Sequence, residues 1–176
     1  MNWFKLLWLM LWALTFAANG YANTSIAEIE KKYNVRIGVY AIDTNNSNTF
    51  SYRQDESFPL QSTMKLLVAA AALKSIESGA LSDEKIKIYA DDIVSWSPIV
   101  SHCLARGYMT IEELAQAAMS YSDNAAANIL IKKIGGAASI NKFARSISNM
   151  SFDLENIDPN LNSNPDSLHD TATPHD

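Results

Sequence analysis

The sequence predicts an α+β fold, in which a short helix and a β-hairpin precede a block of helices. Residues 24–34 carry apolar side chains at helical spacing. Residues 35–43 alternate and are rich in β-branched side chains, and a second such segment starts at Thr49, so the two segments predict a hairpin. From Leu60 onward the apolar spacing is helical again.

Local signals place the elements that follow the first helix. Asn45 to Asn48 has the composition of a turn between the two strands. One helix is predicted over residues 62–78, ending near Gly79. Residues 86–94 are predicted to be extended and to lead into a loop.

The second half of the chain predicts three further helices. Thr110 and Glu113 have the spacing of a capping box, which opens a helix. The buried face of that helix is expected to contain Ile111, Leu114, Ala115, Ala118 and Met119. Two more helices are predicted over residues 124–134 and 137–147, and a polar loop follows Met150.

Composition limits the kinds of partner that the chain can have. Its 176 residues are 48% hydrophobic, enough for one domain with a core or two subdomains. A net charge of −5 argues against a nucleic-acid or anionic-membrane partner. The single cysteine, Cys103, excludes an internal disulfide and a cysteine metal cluster, and with only His102 beside it we expect no metal and no cofactor.

Residues 1–22 have the pattern of a secretory signal peptide. Lys5 precedes an apolar run over residues 6–18, and Gly20-Tyr21-Ala22 fits a cleavage site after Ala22. The run is shorter than the roughly 20 residues that span a membrane, so a cleaved signal is favoured over an anchor. We therefore expect a periplasmic or secreted protein without a stable membrane anchor.

Ser62 and Lys65 form a candidate catalytic pair. Their spacing places both side chains on one face of the first helical turn. A lysine in apolar surroundings has a lowered pKa and can take the proton of a serine hydroxyl. The alternative interpretation is a structural lysine that extends to the surface.

Two other segments repeat the Ser-x-x-Lys spacing. Ser82 with Lys85 lies among charged residues and has the composition of a cap or turn. Ser139 with Lys142 is better explained by a solvated lysine on a helix. Neither has the apolar context of Ser62, so neither is expected to be catalytic.

Two later segments can complete a site around Ser62. Ser122 and Asn124 lie between two predicted helices, where a hydroxyl can relay a proton and an amide can orient a carbonyl. Asp158 and Asn162, on either side of a proline loop, can hold one water between them. The alternatives are an ordinary helix cap for the first segment and an ordinary loop for the second.

Taken in order, these segments resemble the class A serine β-lactamases, whose motifs include S-x-x-K and S-D-N. The resemblance runs from about Ser25 to Pro174. The segments that carry it are STMK at 62–65, SDNAAANIL at 122–130, the Gly-Gly turn at 135–136, DPNLN at 158–162 and DTATP at 170–174.

The resemblance implies an enzyme that hydrolyses the β-lactam amide bond of penicillin- or cephalosporin-type antibiotics through an acyl-serine, giving antibiotic resistance. Ser62 would be the nucleophile, Lys65 a candidate base and Ser122 the relay to the ring nitrogen. Asn124 and Trp96 would contact the substrate. Whether Lys65 or the loop carboxylate starts acylation is left open.

The resemblance also implies an architecture. An α/β sandwich would be joined to an all-α subdomain, with residues 23–60 in the first and 61–176 in the second. We call residues 151–174 the active-site loop; in it Asn162 would help to hold the catalytic water. A monomer that binds a small β-lactam and this water is expected.

The active-site loop departs from the family pattern at two residues. Asp158 stands where the family has glutamate, so its carboxylate is withdrawn by roughly 1.5 Å. A loop one residue shorter between Asn162 and Asp170 would compensate for this. Asn156 stands where an arginine usually pairs with the aspartate of DTATP, here Asp170, so a more mobile loop is expected.

The family's K-T-G segment does not occur in these 176 residues. The sequence is therefore expected to be the first part of a longer enzyme, with the rest of the α/β subdomain absent, and to be inactive by itself. Two alternatives remain: a penicillin-binding peptidase, and a non-catalytic sensor domain that stays acylated. The altered loop around Asp158 leaves the second alternative open.

Overall fold

A computed structural model describes residues 25–82, 85–164 and 167–176. The predicted signal peptide over residues 1–22 lies outside these ranges. The described chain forms two compact units: residues 25–56 with Thr173–His175, and Ser57–Ala172 with Asp176. Within these ranges no helix is both long enough and apolar enough to span a bilayer.

The first unit contains the predicted helix and hairpin. Helix α1 covers residues 25–33. Strands β1 (Val39–Ile42) and β2 (Thr49–Tyr52) pair in antiparallel register, with Val39 opposite Tyr52. The predicted turn is confirmed, and the first strand begins four residues later than its sequence pattern indicates.

A carboxylate on α1 fastens that helix to the chain around the hairpin. Glu30 accepts hydrogen bonds from the hydroxyl of Tyr52 at 2.8 Å, from Nε of Arg53 at 3.0 Å and from the backbone N–H of Ile37 at 2.8 Å. The Arg53 bond, followed by the Ile37 N–H, lowers the pKa of Glu30 to about 2. Helix and hairpin are thus joined by an ionised group.

The second unit is a helical bundle built around one helix. A 3₁₀ turn at Gln61–Thr63 leads directly into the central helix α2 (Met64–Glu77). The surrounding helices are α3 (Pro98–His102), α4 (Ile111–Tyr121), α5 (Asn124–Lys133) and α6 (Ala137–Ser146). Helix α2 packs against α4, α5 and α6, which places its side chains at the centre of the bundle.

Small side chains permit this close packing. Ala69, Ala71 and Ala72 are buried on α2, and Ala125 to Ala127 are buried on α5. Large side chains fill the remaining space, and those that solvent does not reach include Met64, Val68, Leu114, Leu130 and Ile140. Backbones approach closely where the residues are alanine, so α2 can contact several helices at once.

Four short strands complete the second unit. β3 (Phe58–Pro59) pairs with β6 (Thr171–Ala172), and β4 (Ile86–Lys87) pairs with β5 (Tyr108–Met109). The β3–β6 pair brings the end of the active-site loop back beside the start of the 3₁₀ turn. Helices and strands together confirm the predicted α+β class.

The other predicted elements are confirmed in part. The helices predicted over 124–134 and 137–147 are confirmed to within one residue. The extended segment predicted over 86–94 is strand only at Ile86–Lys87 and turns into a 3₁₀ helix at Ala90–Asp92. Segments of two residues are too short to give a periodic signal, so β3, β5 and β6 were not predicted.

Met119 was wrongly placed on the buried face of α4. Its side chain is 48% exposed, and Ala117 is buried instead. The buried arc is displaced because α4 packs against α3 and α5 as well as α2. The other four residues predicted for this face are buried.

We expect Thr110→Ala to destabilise the protein by about 0.5–2 kcal/mol. The capping box is formed: Thr110 Oγ1 accepts from the N–H of Glu113 at 3.2 Å, and Glu113 Oε2 accepts from the N–H of Thr110 at 2.9 Å. Thr44→Ala, in an exposed turn, is the control and should change stability by less than about 0.5 kcal/mol. Urea unfolding of both variants measures the difference, and equal losses would contradict the prediction.

Candidate active site

Ser62 lies in the 3₁₀ turn that precedes α2, not in the first α-helical turn as the sequence indicated. The turn is tighter because the N–H of Thr63 bonds to the carbonyl of Leu60 at 3.0 Å. Lys65, in the first turn of α2, still reaches Ser62: the distance from Nζ to Oγ is 3.1 Å. The predicted pairing of these two side chains is confirmed.

Lys65 is buried, with 2% of its surface exposed. Its Nζ lies within hydrogen-bonding distance of the carbonyl oxygen of Ser122 at 2.8 Å, of Ser122 Oγ at 3.0 Å and of Asn124 Oδ1, in addition to Ser62 Oγ. Four oxygen atoms therefore surround a nitrogen that carries at most three hydrogens. This geometry rules out a lysine that extends to the surface.

Burial lowers the pKa of Lys65 from its usual value, while the carboxylates of Asp158 and Asp123 oppose this shift. A lowered pKa increases the fraction of neutral amine, which has a lone pair to accept a proton. An ammonium can donate to three of the surrounding oxygens, and a neutral amine can donate to two and accept from one hydroxyl, so both protonation states are compatible with this site.

Ser122 lies at the junction of α4 and α5, in the left-handed region at φ 54° and ψ 34°. This backbone conformation is uncommon for a residue other than glycine. It directs the side chain toward Ser62, and Ser122 Oγ donates to Ser62 Oγ at 2.9 Å. Ser62, Lys65 and Ser122 thus form a triangle whose three sides measure 2.9–3.1 Å.

Asp123 holds this junction in place. Its Oδ1 accepts from the N–H of Ala126 at 2.9 Å and caps α5, while Oδ2 accepts from Ile99 at 2.8 Å and Val100 at 3.0 Å. Asp123 is fully buried and links α5 to α3. The sequence predicts a helix cap in this segment. It predicts neither helix α3 nor the contact of Asp123 with that helix.

Asn124 has both ends of its amide engaged. Oδ1 accepts from Lys65, and Nδ2 donates to the carbonyl of Ser95 at 3.0 Å. Its backbone N–H donates to the carbonyl of Trp96 at 3.0 Å. Trp96 is 68% exposed, and its Nε1 donates to Tyr121 at 3.0 Å, so the indole is held in place with much of its surface open to solvent.

Asp158 is fixed by a residue that the sequence reasoning missed. Asn128, buried on α5, donates from Nδ2 to the carbonyl of Asp158 at 2.8 Å and accepts from its N–H at 3.2 Å. The signal was an asparagine amid the small and apolar side chains of the segment AAANIL. A polar side chain there requires a buried partner.

Asp158 is half-buried, and its carboxylate is incompletely hydrogen-bonded. Oδ2 finds no hydrogen-bond partner among the described residues. Burial raises the pKa of Asp158, and the positive charge of Lys65 partly opposes this. The amine of Lys65 and the carboxylate of Asp158 therefore affect each other's pKa, which is typical of groups in a catalytic site.

Asn162 connects the active-site loop to Gln61, the residue before Ser62. Its Oδ1 accepts from the N–H of Gln61 at 2.8 Å, and its Nδ2 donates to the carbonyl of Asp170 at 2.8 Å. That carbonyl also accepts from Leu60 at 2.8 Å. Any water held by Asn162 must therefore use the second lone pair of Oδ1 or the second hydrogen of Nδ2.

Asp170 is buried, and its carboxylate is hydrogen-bonded although Asn156 stands where the family resemblance implies an arginine partner. Oδ1 accepts from the N–H of Glu155 at 2.8 Å and of Asn156 at 2.9 Å, and Oδ2 accepts from Asn156 Nδ2 at 2.8 Å. Burial acts to raise the pKa of Asp170, but these bonds outweigh it and the pKa is lowered. Asn156 therefore replaces an ion pair with hydrogen bonds; greater loop mobility stays a prediction.

The two other Ser-x-x-Lys segments form no comparable site. Lys142 is exposed, in agreement with its interpretation as a solvated residue. Lys85 is exposed too, and its Nζ lies 4.4 Å from the centre of the Tyr108 ring. Among the described residues, no group of three or more His, Cys, Asp or Glu side chains is arranged to hold a metal ion.

Comparison with known proteins gives one consistent family. The model of the beta-lactamase enzyme family matches residues 22–176. The chain is similar to the carbapenem-hydrolyzing beta-lactamase KPC of Klebsiella oxytoca, with 42% identity over 175 residues that cover 94% of the chain and 59% of the relative. Beta-lactamase 3 of Bacillus cereus is 38% identical, with 86% of the chain and 48% of the relative covered.

Solved structures agree with the sequence comparison. The last common ancestor of Gram-negative bacteria class A beta-lactamase has a TM-score of 0.82 at 40% identity, covering 87% of this chain and 59% of that structure. A beta lactamase from Burkholderia vietnamiensis has a TM-score of 0.82 at 34% identity, covering 86% of this chain and 56% of that structure. The chain thus spans about half to three-fifths of the length of the proteins it matches.

We expect Asp123→Asn to destabilise the protein by about 1–3 kcal/mol, because the amide Nδ2 cannot accept the buried N–H groups that Oδ2 now satisfies. Asp91→Asn is the control, since Asp91 is exposed in a 3₁₀ turn and should tolerate the same change. Thermal unfolding of the two variants distinguishes them. If both lose the same stability, the cap adds nothing beyond a surface carboxylate.

Proposed function

Since this chain belongs to the class A β-lactamase family, we propose that it supplies the nucleophile and the water-activating loop of an enzyme that hydrolyses β-lactam antibiotics through an acyl-serine. The observation that carries the proposal is the triangle of Ser62, Lys65 and Ser122, each in hydrogen-bonding contact with the other two. The relatives' printed names support the substrate class.

Acylation would begin with the transfer of the Ser62 hydroxyl proton to the neutral amine of Lys65. Ser62 Oγ would then attack the β-lactam carbonyl carbon, and the ring C–N bond would break. The departing nitrogen would take its proton from Ser122, which would regain one from the Lys65 ammonium. The contacts of 3.0 Å and 2.9 Å that Ser122 makes with Lys65 and Ser62 support this relay.

Deacylation would use Asp158 as the general base. A water would lose a proton to the carboxylate and attack the ester carbon; the ester C–O bond would then break, and Ser62 Oγ would take up the proton that Asp158 had accepted, which restores both groups. Oδ2 of Asp158 has no hydrogen-bond partner among the described residues, so it is free to accept that proton. The amide of Asn128 bonds to both the backbone N–H and the backbone carbonyl of Asp158, and would thereby fix the position of the carboxylate.

Two residues would contact the substrate, and the enzyme would act outside the cytoplasm. Asn124 would orient a substrate amide, and the exposed face of Trp96 would pack on the bound antibiotic. The pattern of residues 1–22 supports action outside the cytoplasm after cleavage near Ala22. The enzyme would act as a monomer and confer antibiotic resistance.

We expect a labelled penicillin to acylate Ser62 and no other residue of the complete gene product. The reason is that Ser62 alone among the three Ser-x-x-Lys serines contacts a buried lysine amine. Peptide mapping after incubation locates the label. Ser62→Ala should abolish labelling and Ser139→Ala should preserve it; label on another serine would disprove the assignment.

We expect Asp158→Glu to shorten the lifetime of the acyl-enzyme by up to ~10²-fold, because the longer side chain restores roughly 1.5 Å of reach toward the water and a misplacement of about 1 Å can cost that factor. Stopped-flow decay of the acyl-enzyme in the complete gene product measures the lifetime, with Asp91→Glu as the control. A slower decay in Asp158→Glu would mean that the shorter loop already compensates. A wild-type acyl-enzyme that does not decay would favour the sensor alternative.

A further inference from the structure

We propose that His169 is a positioning residue of the active-site loop: as an imidazolium it links the carboxylates of Asp153 and Glu155 and keeps Asn162 in place. Its effect on turnover rests on the proposed function. The linkage itself does not, because it is visible in the contacts of the loop.

Both ring nitrogens of His169 face carboxylate oxygens. Nδ1 lies 2.7 Å from Oδ2 of Asp153, and Nε2 lies 3.3 Å from Oε2 of Glu155. Only an imidazolium can donate from both nitrogens, since a neutral ring presents a lone pair to one of the two carboxylates. The arrangement therefore selects the protonated ring.

The two carboxylates belong to the base of the loop. Asp153 and Thr171 exchange backbone hydrogen bonds of 2.9 and 3.0 Å, which close the loop on itself. The N–H of Glu155 donates to the carboxylate of Asp170 at 2.8 Å. His169 therefore joins the segment that enters the loop to the segment that leaves it.

The base of the loop is connected to the turn that contains Ser62 through Asp170, the residue after His169. His169 precedes Asp170, whose carbonyl accepts from both Asn162 and Leu60 at 2.8 Å. Leu60 starts the turn that contains Ser62. A looser base would let Asp170 move and would relax the hold on Asn162.

The base of the loop contains several carboxylates, whose negative charge favours a cation among them. Asp153, Glu155 and Asp170 all act on His169, and the neutral Asn156 cannot balance them. From α6, the uncharged amide of Asn141 contacts Asp153 at 3.4 Å. Among the described residues, the ion pairs of Asp153 and Glu155 are both made with His169.

The hydrogen bond to Asp153 is the largest cause that raises the pKa of His169, and Glu155 adds to it. A raised pKa in the folded state means that the linkage stabilises the loop fully below the ordinary value of 6.5. The contribution is lost as the pH rises through the raised pKa. The ring is 57% exposed, so solvent limits the size of the effect.

The first test needs no turnover. An NMR titration of the complete gene product can follow the His169 ring, whose signal is assigned by its loss in His169→Gln, with His102 and His175 as internal references. The expected result is a His169 pKa that is raised in the wild type and falls in the Asp153→Asn, Glu155→Gln double variant. A pKa that is the same in both proteins would overturn the proposal.

Amide exchange tests the coupling to the site. The N–H groups of Leu60 and Thr171 should exchange faster in His169→Gln than in the wild type at pH 6, and equally fast in both above the His169 pKa. His169→Arg, permanently charged, should restore protection at both pH values. Unchanged protection in His169→Gln at pH 6 would overturn the proposal.

Acyl-enzyme lifetime tests the consequence for turnover. At pH 6 His169→Gln should lengthen the lifetime by about two- to five-fold, and the ratio to wild type should approach one above the His169 pKa. His169→Arg should match the wild type at pH 6, and His102→Gln should match it throughout. A ratio that does not depend on pH would overturn the positioning role. If no acyl-enzyme forms, the proposed function fails, whereas the titration and exchange results still decide the linkage.

Discussion

Lys65 places an amine inside the helical bundle, and the bundle has to supply oxygen atoms for it. An unpartnered amine there would be costly, since a buried charge or donor is stable only when it is hydrogen-bonded. The oxygens come from Ser62 in the 3₁₀ turn before α2 and from Ser122 and Asn124 at the junction of α4 and α5. The site exists only because these helices pack against α2.

Two buried aspartates and one half-buried aspartate show how hydrogen bonding separates structural from chemical roles. Asp123 and Asp170 each accept three hydrogen bonds through their carboxylates, which leaves them committed to holding α3, α5 and the active-site loop. Asp158 keeps an oxygen without a partner among the described residues, and its pKa is raised by burial. A carboxylate with a free oxygen and a raised pKa is suited to accept a proton from water.

Much of this arrangement could be predicted from local patterns. The capping box at Thr110, the turn at Asn45 to Asn48 and the helices on either side of Gly135-Gly136 follow from residues near each other in the chain. Short segments such as β3 and β6 could not be predicted, because two residues carry no period. The burial of Ala117 in place of Met119 depends on which helices α4 meets.

The sequence by itself determined the α+β class and the pairing of Ser62 with Lys65, since these depend on periodicity and on a spacing of three residues within one segment. The family followed from the resemblance of several motifs, in order along the chain, to those of the class A serine β-lactamases. Only the tertiary structure decided that Asn128 holds Asp158, that Asp123 reaches α3, and that Asn156 and His169 meet carboxylates at the base of the loop. These contacts join segments up to about 30 residues apart. Hydrogen bonds and ion pairs depend on distances of about 3 Å, which chain packing sets and which spacing in the sequence does not encode.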